Sequence, residues 1–201
     1  MNDLHRSKFA KSRQSESGSY TSSHYYQRSQ RIHVNGISGE LKKGNKLIER
    51  GKVYKVIKIS LIKTDGKVEK IVHYCPYFVN SLNKSLLYSI PEKSIAPEDI
   101  RKPLSKKELE LVLSSLSEKM DAYPVFDIIK AKDDINLNNI QETANVLRQC
   151  LKEKKAAGEN YTKVKRDFLD DVIEMMVEEV ALVFNISLEK AEEKIRSLVN
   201  I

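Results

Sequence analysis

The chain has 201 residues, 40% hydrophobic and 31% charged, with a formal net charge of +7 and no tryptophan. That length suits one or two domains with enough core to fold unaided, and no apolar run approaches the ~20 residues of a membrane-spanning helix. Cys75 and Cys150 are too few and too isolated for a disulfide framework or a zinc site. The first residues lack the apolar core of a secretory signal, so the expected address is cytoplasmic.

Residues 1–36 carry eight serines, six bases against two acids, and the cluster Tyr20, Tyr25 and Tyr26. Apolar residues there are sparse and aperiodic, which predicts a disordered basic tail. The tail contributes +4 of the +7, leaving +3 for residues 37–201, so the excess charge is local. Arg interleaved with Tyr suits base stacking and phosphate neutralisation. A solubilising or regulatory segment accounts for the same composition, and both readings stay open.

From Leu41 to about Pro91 the pattern is that of strands. The segments "KLI" (46–48), "KVYKVIKISLIK" (52–63), "KVEKIVHYCPYFV" (67–79) and "SLLYSI" (85–90) are β-branched and aromatic, with partial alternation. Asp65-Gly66 between two of them predicts a hairpin, Gly44 and Gly51 punctuate the first strand, and "NSLNKS" (80–85) predicts the next turn. Pro76 predicts an edge position or a bulge. So many short strands in this span suggest a small Tudor- or SH3-like barrel over residues 41–100.

After Pro91 the period becomes helical. Ser105 and Glu108 stand in capping-box spacing ahead of Leu109, Val112, Leu113, Leu116 and Met120 on one face. One short helix is expected in "DAYPVFDIIKAKDDINLNN". A longer one spans Ile140 to Ala157 with Gly158 as its stop. The longest runs from Thr162 to about Phe184, with Val164, Phe168, Val172, Met176, Val180 and Val183 inward. Ser187 caps a last helix carrying Leu188, Ala191, Ile195 and Leu198. The expected fold class is α+β: a small β-barrel followed by an all-α bundle over 104–201.

Motifs for chemistry are sparse. There is no phosphate-binding loop, dinucleotide fingerprint or nucleophile elbow. His73 and Cys75 would share one strand face, but no third catalytic partner is identifiable. The carboxylates of "DFLDDVIEMMVEEV" (167–180) are spaced as a solvated face and lack histidines for a metal site. A non-enzymatic protein without metal or cofactor is expected.

One stretch opposes local helix physics. Between Arg148 and Arg166 stand seven bases, with only Glu153 and Glu159 to balance them. Cations suit the end of the first helix, but Lys163, Lys165 and Arg166 open the second, where acids are preferred. A helix–turn–helix elbow would gather Lys152, Lys155, Lys163 and Arg166 around exposed backbone N–H groups, a fit for phosphate oxygens. Ordinary lysines screened by water at an exposed turn fit equally well.

Two stretches, "LLYSIPEKSIAPEDIRKPLSKKELELVLSSL" (86–116) and "ETANVLRQCLKEKKAAGENYTKVKRDFLDDVIEMMVEEVALVF" (142–184), resemble the CarD/CdnL family of bacterial RNA polymerase-binding transcription regulators. The first looks like the family's last barrel strand, its Pro and the first helix of the helical domain. The second is similar to the family's "VVRDL…EKRML…ELAL" core, with one extra residue near Glu159–Tyr161. The resemblance implies a Tudor-like domain docking by a sheet edge on the RNA polymerase β subunit. It also implies a helical domain resting on promoter DNA at the edge of the transcription bubble, stabilising the open complex. The protein would be a cytoplasmic, nucleoid-associated monomer.

Carried over position by position, the polymerase contacts fall at Ile62, Lys63, Thr64 and Ser89. Arg148 matches the Arg of the family's "VRDL" and Arg166 the Lys of its "EKRML"; with Lys152, Lys155, Lys163 and Lys165 of the same basic corner they are the expected DNA contacts. The family's minor-groove tryptophan would fall in "DAYPVFD", leaving Tyr123 or Phe126 as the substitute wedge, or as a core anchor. Departures are the missing Trp, the loss of the family's Arg at the polymerase positions, and "IERGKV" (48–53) in place of its "YPxHG" signature. The alternative from another class is an RNA- or ribosome-associated module using the barrel as an SH3-like reader.

Overall fold

The computed structural model describes residues 40–64, 66–96, 98–118 and 126–199; Asp65, Met120, Tyr123 and residues 1–39 lie outside that set. The described residues form a four-stranded antiparallel sheet followed by five α-helices, all within one compact unit. The strands are β1 (Lys46–Glu49), β2 (Lys52–Thr64), β3 (Lys67–Pro76) and β4 (Tyr88–Pro91), in the order β1-β2-β3-β4. The helices are α1 (Lys106–Ser115), α2 (Ile128–Ile135), α3 (Ile140–Ala157), α4 (Lys163–Phe184) and α5 (Leu188–Leu198).

The alternation of β2 sets the register. Leu47 pairs with Tyr54, Val56 with Tyr74 and Ile59 with Val72, which places these apolar side chains on one face. There they pack with Leu41, Ile100, Tyr88 and Ile90 as the sheet's own core. An isolated antiparallel bridge between Ile48 and Arg101 extends the sheet beyond β1.

The break that Pro76 predicts lies elsewhere. The register slips between Val56 and Lys58, so Ile57 is the bulged residue, and Pro76 is simply the last residue of β3, opposite Tyr54. Because β4 pairs only with residues 71–74 of β3, the missing N–H of Pro76 interrupts no ladder on that side. Pro76 thus lies where β3 is locally an edge, as expected, and no bulge is needed there.

The β1–β2 connection is two residues, Arg50 and Gly51, both with positive φ (48° and 76°). That is the handedness a two-residue hairpin turn requires. Arg50 tolerates it because its N–H donates to Asn138 Oδ1 at 3.1 Å. Gly51 is required for a second reason: a Cβ there would lie 2.4 Å from the carbonyl oxygen of Met175 in α4.

The helices start where capping chemistry places them. Ser105 and Glu108 form the reciprocal capping box of α1, and Asp127, Asn139, Thr162 and Ser187 cap α2 to α5 through their side chains. Gly158 ends α3 at φ 54°. Leu109, Val112, Leu113, Leu147, Phe168, Val172, Met176, Val180, Ala191 and Ile195 are buried in a second, larger core. Val164 is a correction to the expected inner face, being 65% exposed. The first turn of α4 overhangs the core, and Tyr161 takes the inward place, buried and donating its hydroxyl to the Lys165 carbonyl at 3.0 Å.

Candidate functional site

Three regions hold chemistry: the junction of sheet and helices, the α3–α4 elbow, and the sheet's outer face. At the junction Arg101 and Glu179 form a bidentate ion pair, Nη1–Oε1 2.8 Å and Nη2–Oε2 2.5 Å, with both side chains all but buried. The remaining acceptor and donor capacity is taken up locally. Glu179 also accepts the Leu104 N–H at 2.8 Å, and Arg101 Nε donates to the Asn138 carbonyl at 2.7 Å. The Asn138 side chain donates to the carbonyls of Ile48 and Asp99. Beside it, Glu178 accepts the Val53 N–H at 2.7 Å, and Lys52 bridges Glu174 and Glu178.

This corrects the expectation of a solvated face for the carboxylates of 167–180: Glu179 is fully buried, and its network has no counterpart in the sequence reading. Its signal is legible in retrospect: Glu179 follows Val172 and Met176 on the inner stripe of α4, where an unpaired carboxylate would be costly. No spacing rule names Arg101, 78 residues away, as its partner.

At the elbow the cations divide. Lys163 pairs with Asp167 at 2.5 Å in base-before-acid order, and Lys165 pairs with Glu153 at 2.5 Å across the turn. Arg148 reaches back to the Glu118 carbonyl at 3.2 Å, joining α3 to the end of α1. Lys152 and Lys155 lie one turn apart on the same exposed stripe of α3. Lys155 and Arg166 are exposed and form no ion pair with any described residue. The structure thus brings the elbow together but neutralises part of its charge internally. Phe126 is half-buried against the helical core, 6.4 Å from Phe168 between ring centroids, with Lys165 Nζ above its ring at 5.8 Å. Tyr123 lies outside the described residues.

At the sheet, Ile62, Lys63 and Thr64 lead into the β2–β3 hairpin tip, in register with Glu69, Val68 and Lys67. Leu61, Ile62 and Val68 there are exposed apolar side chains, 70%, 47% and 65%. Ser89 stands in β4, the edge strand, opposite His73. Ile62 and Ser89 share the sheet face away from its core. They are separated by four β3 positions (Glu69 to His73), about 13 Å. His73 shares hydrogen bonds with Ser60 Oγ through Nε2 (2.7 Å) and with Ser89 Oγ through Nδ1 (2.8 Å). Hydroxyls can donate or accept, so either imidazole tautomer is satisfied.

A cleft of about 230 Å³ lies between β2, the β3–β4 loop and α4, lined by Tyr54, Phe78, Tyr88 and Glu178 among others. That is below the ~300 Å³ at which small-molecule sites usually begin. Burial pushes the Tyr54 phenol up, and it lifts the Glu178 carboxyl above its usual range against the pull of the Val53 N–H and Lys52. Among the described residues no group of three or more His, Cys, Asp and Glu is placed to hold a metal, and no helix is long and apolar enough to cross a membrane.

Among the described residues, fold and sites together define an α+β protein whose small antiparallel sheet is fastened to five helices by a buried ion pair. No family model matches the chain, and no curated protein matches it.

Proposed function

We propose that this protein is a non-enzymatic, CarD-like transcription regulator whose sheet, read as a Tudor-like barrel, docks on the RNA polymerase β subunit. Its helical part then rests on promoter DNA through phosphates and modulates open-complex stability. The observation that carries the reading is the projecting β2–β3 tip. It sets exposed Leu61, Ile62 and Val68 beyond the short edge strand β4, a form suited to docking by sheet edge and apolar contact. The exposed Lys155 and Arg166 at the elbow, without an ion pair among the described residues, support the DNA half: Arg166, disfavoured near the start of α4, gains from a phosphate partner, and Lys155 adds a second cation at the same corner. Arg148, Lys152, Lys163 and Lys165 are the further phosphate-facing candidates, and Tyr123 or Phe126 the wedge.

The test uses the whole chain, because Arg101 of the sheet segment is paired with Glu179 of α4. The wild-type protein is retained on immobilised bacterial RNA polymerase, and Leu61→Glu with Ile62→Glu abolishes retention. Lys155→Glu with Arg166→Glu leaves retention intact and weakens binding to promoter DNA carrying a melted bubble. Absence of wild-type retention would remove the polymerase half of the proposal. Equal DNA binding by the elbow variant would remove the other half.

A further inference from the structure

The sheet face opposite its own core is basic in a way its fold does not need. Lys46 and Lys55 are direct cross-strand partners, a like-charge pairing that destabilises a sheet. Lys55 in turn pairs with Cys75, and Lys58 with His73, which pairs with Ser89. Neither Lys46, Lys55 nor Lys58 forms an ion pair with a described carboxylate. The described partners of Lys46 are neutral, the Gly44 carbonyl at 3.5 Å and the Tyr77 ring at 4.3 Å. Burial, and then the charge of Lys55, hold the Lys46 ammonium below its ordinary range, which is the mark of crowding without compensation. Glu69 stands at the far end of this face and is taken by Lys93 at 2.5 Å. Glu49 points the other way, towards Tyr54 and Tyr74. Tyr77 is 40% exposed at the end of the same face, and the Ser60 and Ser89 hydroxyls flank His73 along it.

We propose that this face, with Lys46, Lys55 and Lys58 along it and Tyr77 at its end, is a binding surface for single-stranded nucleic acid. Backbone phosphates lie along the lysines, and an unpaired base stacks on the Tyr77 ring. Charge complementarity selects a polyanion, and an exposed ring beside cations selects one with accessible base faces, which a duplex lacks. Whichever of the Ser60 and Ser89 hydroxyls accepts from His73 keeps its own hydrogen as an uncharged donor to a phosphate oxygen. The surface is separate from the α3–α4 elbow and does not depend on polymerase docking, although a transcription bubble would supply such a strand.

The experiment is fluorescence anisotropy of a labelled oligothymidylate with the full-length protein over a series of salt concentrations. Residues 1–36 contribute alike to every variant. Lys55→Glu with Lys58→Glu is expected to weaken binding roughly tenfold or more at low salt and to flatten the log–log salt slope by about 1.4, two phosphates at ~0.7 each. Tyr77→Ala is expected to weaken binding about fivefold or more with the slope unchanged, as loss of stacking requires. Lys107→Glu with Lys130→Glu, two exposed lysines on α1 and α2, is the comparison that keeps affinity for the single strand, and the elbow variant is measured alongside. Melting curves of all variants confirm folding. Unchanged affinity in a folded Lys55→Glu, Lys58→Glu protein overturns the proposal. So does a loss confined to the elbow variant, or a loss of polymerase retention with oligonucleotide binding intact, which would make the face a protein-docking surface.

Discussion

At the scale of single residues, the side chains that decide most are Arg101 and Glu179. Each is buried, and each is acceptable only because the other is present. Removing one partner strands a charge in the interior, so Arg101→Met is expected to lower unfolding free energy by about 3–5 kcal/mol, measured by urea titration. Replacing both by apolar residues of similar volume is expected to lose less. Glu178, one residue away, gives a pH signature. Its carboxyl is raised in the folded protein by burial, so its stabilising contribution is present below the unfolded value of about 4.3 and is lost as pH rises through the higher folded value. Glu178→Gln removes that dependence. The melting temperature of the variant relative to wild type is therefore expected to rise between acid and neutral pH, and a flat or falling difference would contradict the assignment.

At the scale of elements, the β1–β2 turn and the elbow are the places where local preference is overruled. Gly51 combines positive φ with contact to the Met175 backbone, whereas Gly44 has positive φ and open space. Gly44→Ala is expected to cost about 1–2 kcal/mol from the left-handed backbone alone. Gly51→Ala is expected to cost distinctly more, because α4 must move as well; equal losses in denaturant would refute the close approach. At the elbow, Arg166 lies in the opening turns of α4, where the macrodipole disfavours it. Arg166→Gln is expected to leave stability unchanged or raise it by about 0.3–1 kcal/mol while weakening DNA binding. A residue retained for folding would show the reverse.

At the scale of the whole molecule, two hydrophobic cores share one framework. The sheet core around Leu47, Val56, Val72 and Tyr74 is small, and its ring cluster of Tyr54, Tyr74 and Tyr88 holds centroids 5.3–5.5 Å apart. It is fastened to the helical core through Arg101, Asn138 and Gly51 rather than through a continuous apolar interface. Sheet and helices are therefore expected to unfold together. Helical circular dichroism and near-ultraviolet tyrosine signals should give coincident urea midpoints. Separate midpoints would mean that the ion pair opens before either core does.

Much of this was legible along the chain, and the reason is locality. Caps at Ser105, Thr162 and Ser187, the Gly158 stop and the strand alternation of 52–63 rest on interactions within a few residues, so spacing alone places them. The basic elbow was readable for the same cause, whereas Ile62 and Ser89 were named only through the family resemblance. What only the tertiary structure decided were pairings across long separations. The partner of Glu179, the approach of Gly51 to Met175, the internal neutralisation of Lys163 and Lys165, and the meeting of Lys46, Lys55 and Lys58 on one face all depend on which elements are brought together. Side-chain periodicity fixes which way a residue faces; only the packing of distant elements fixes what it meets there.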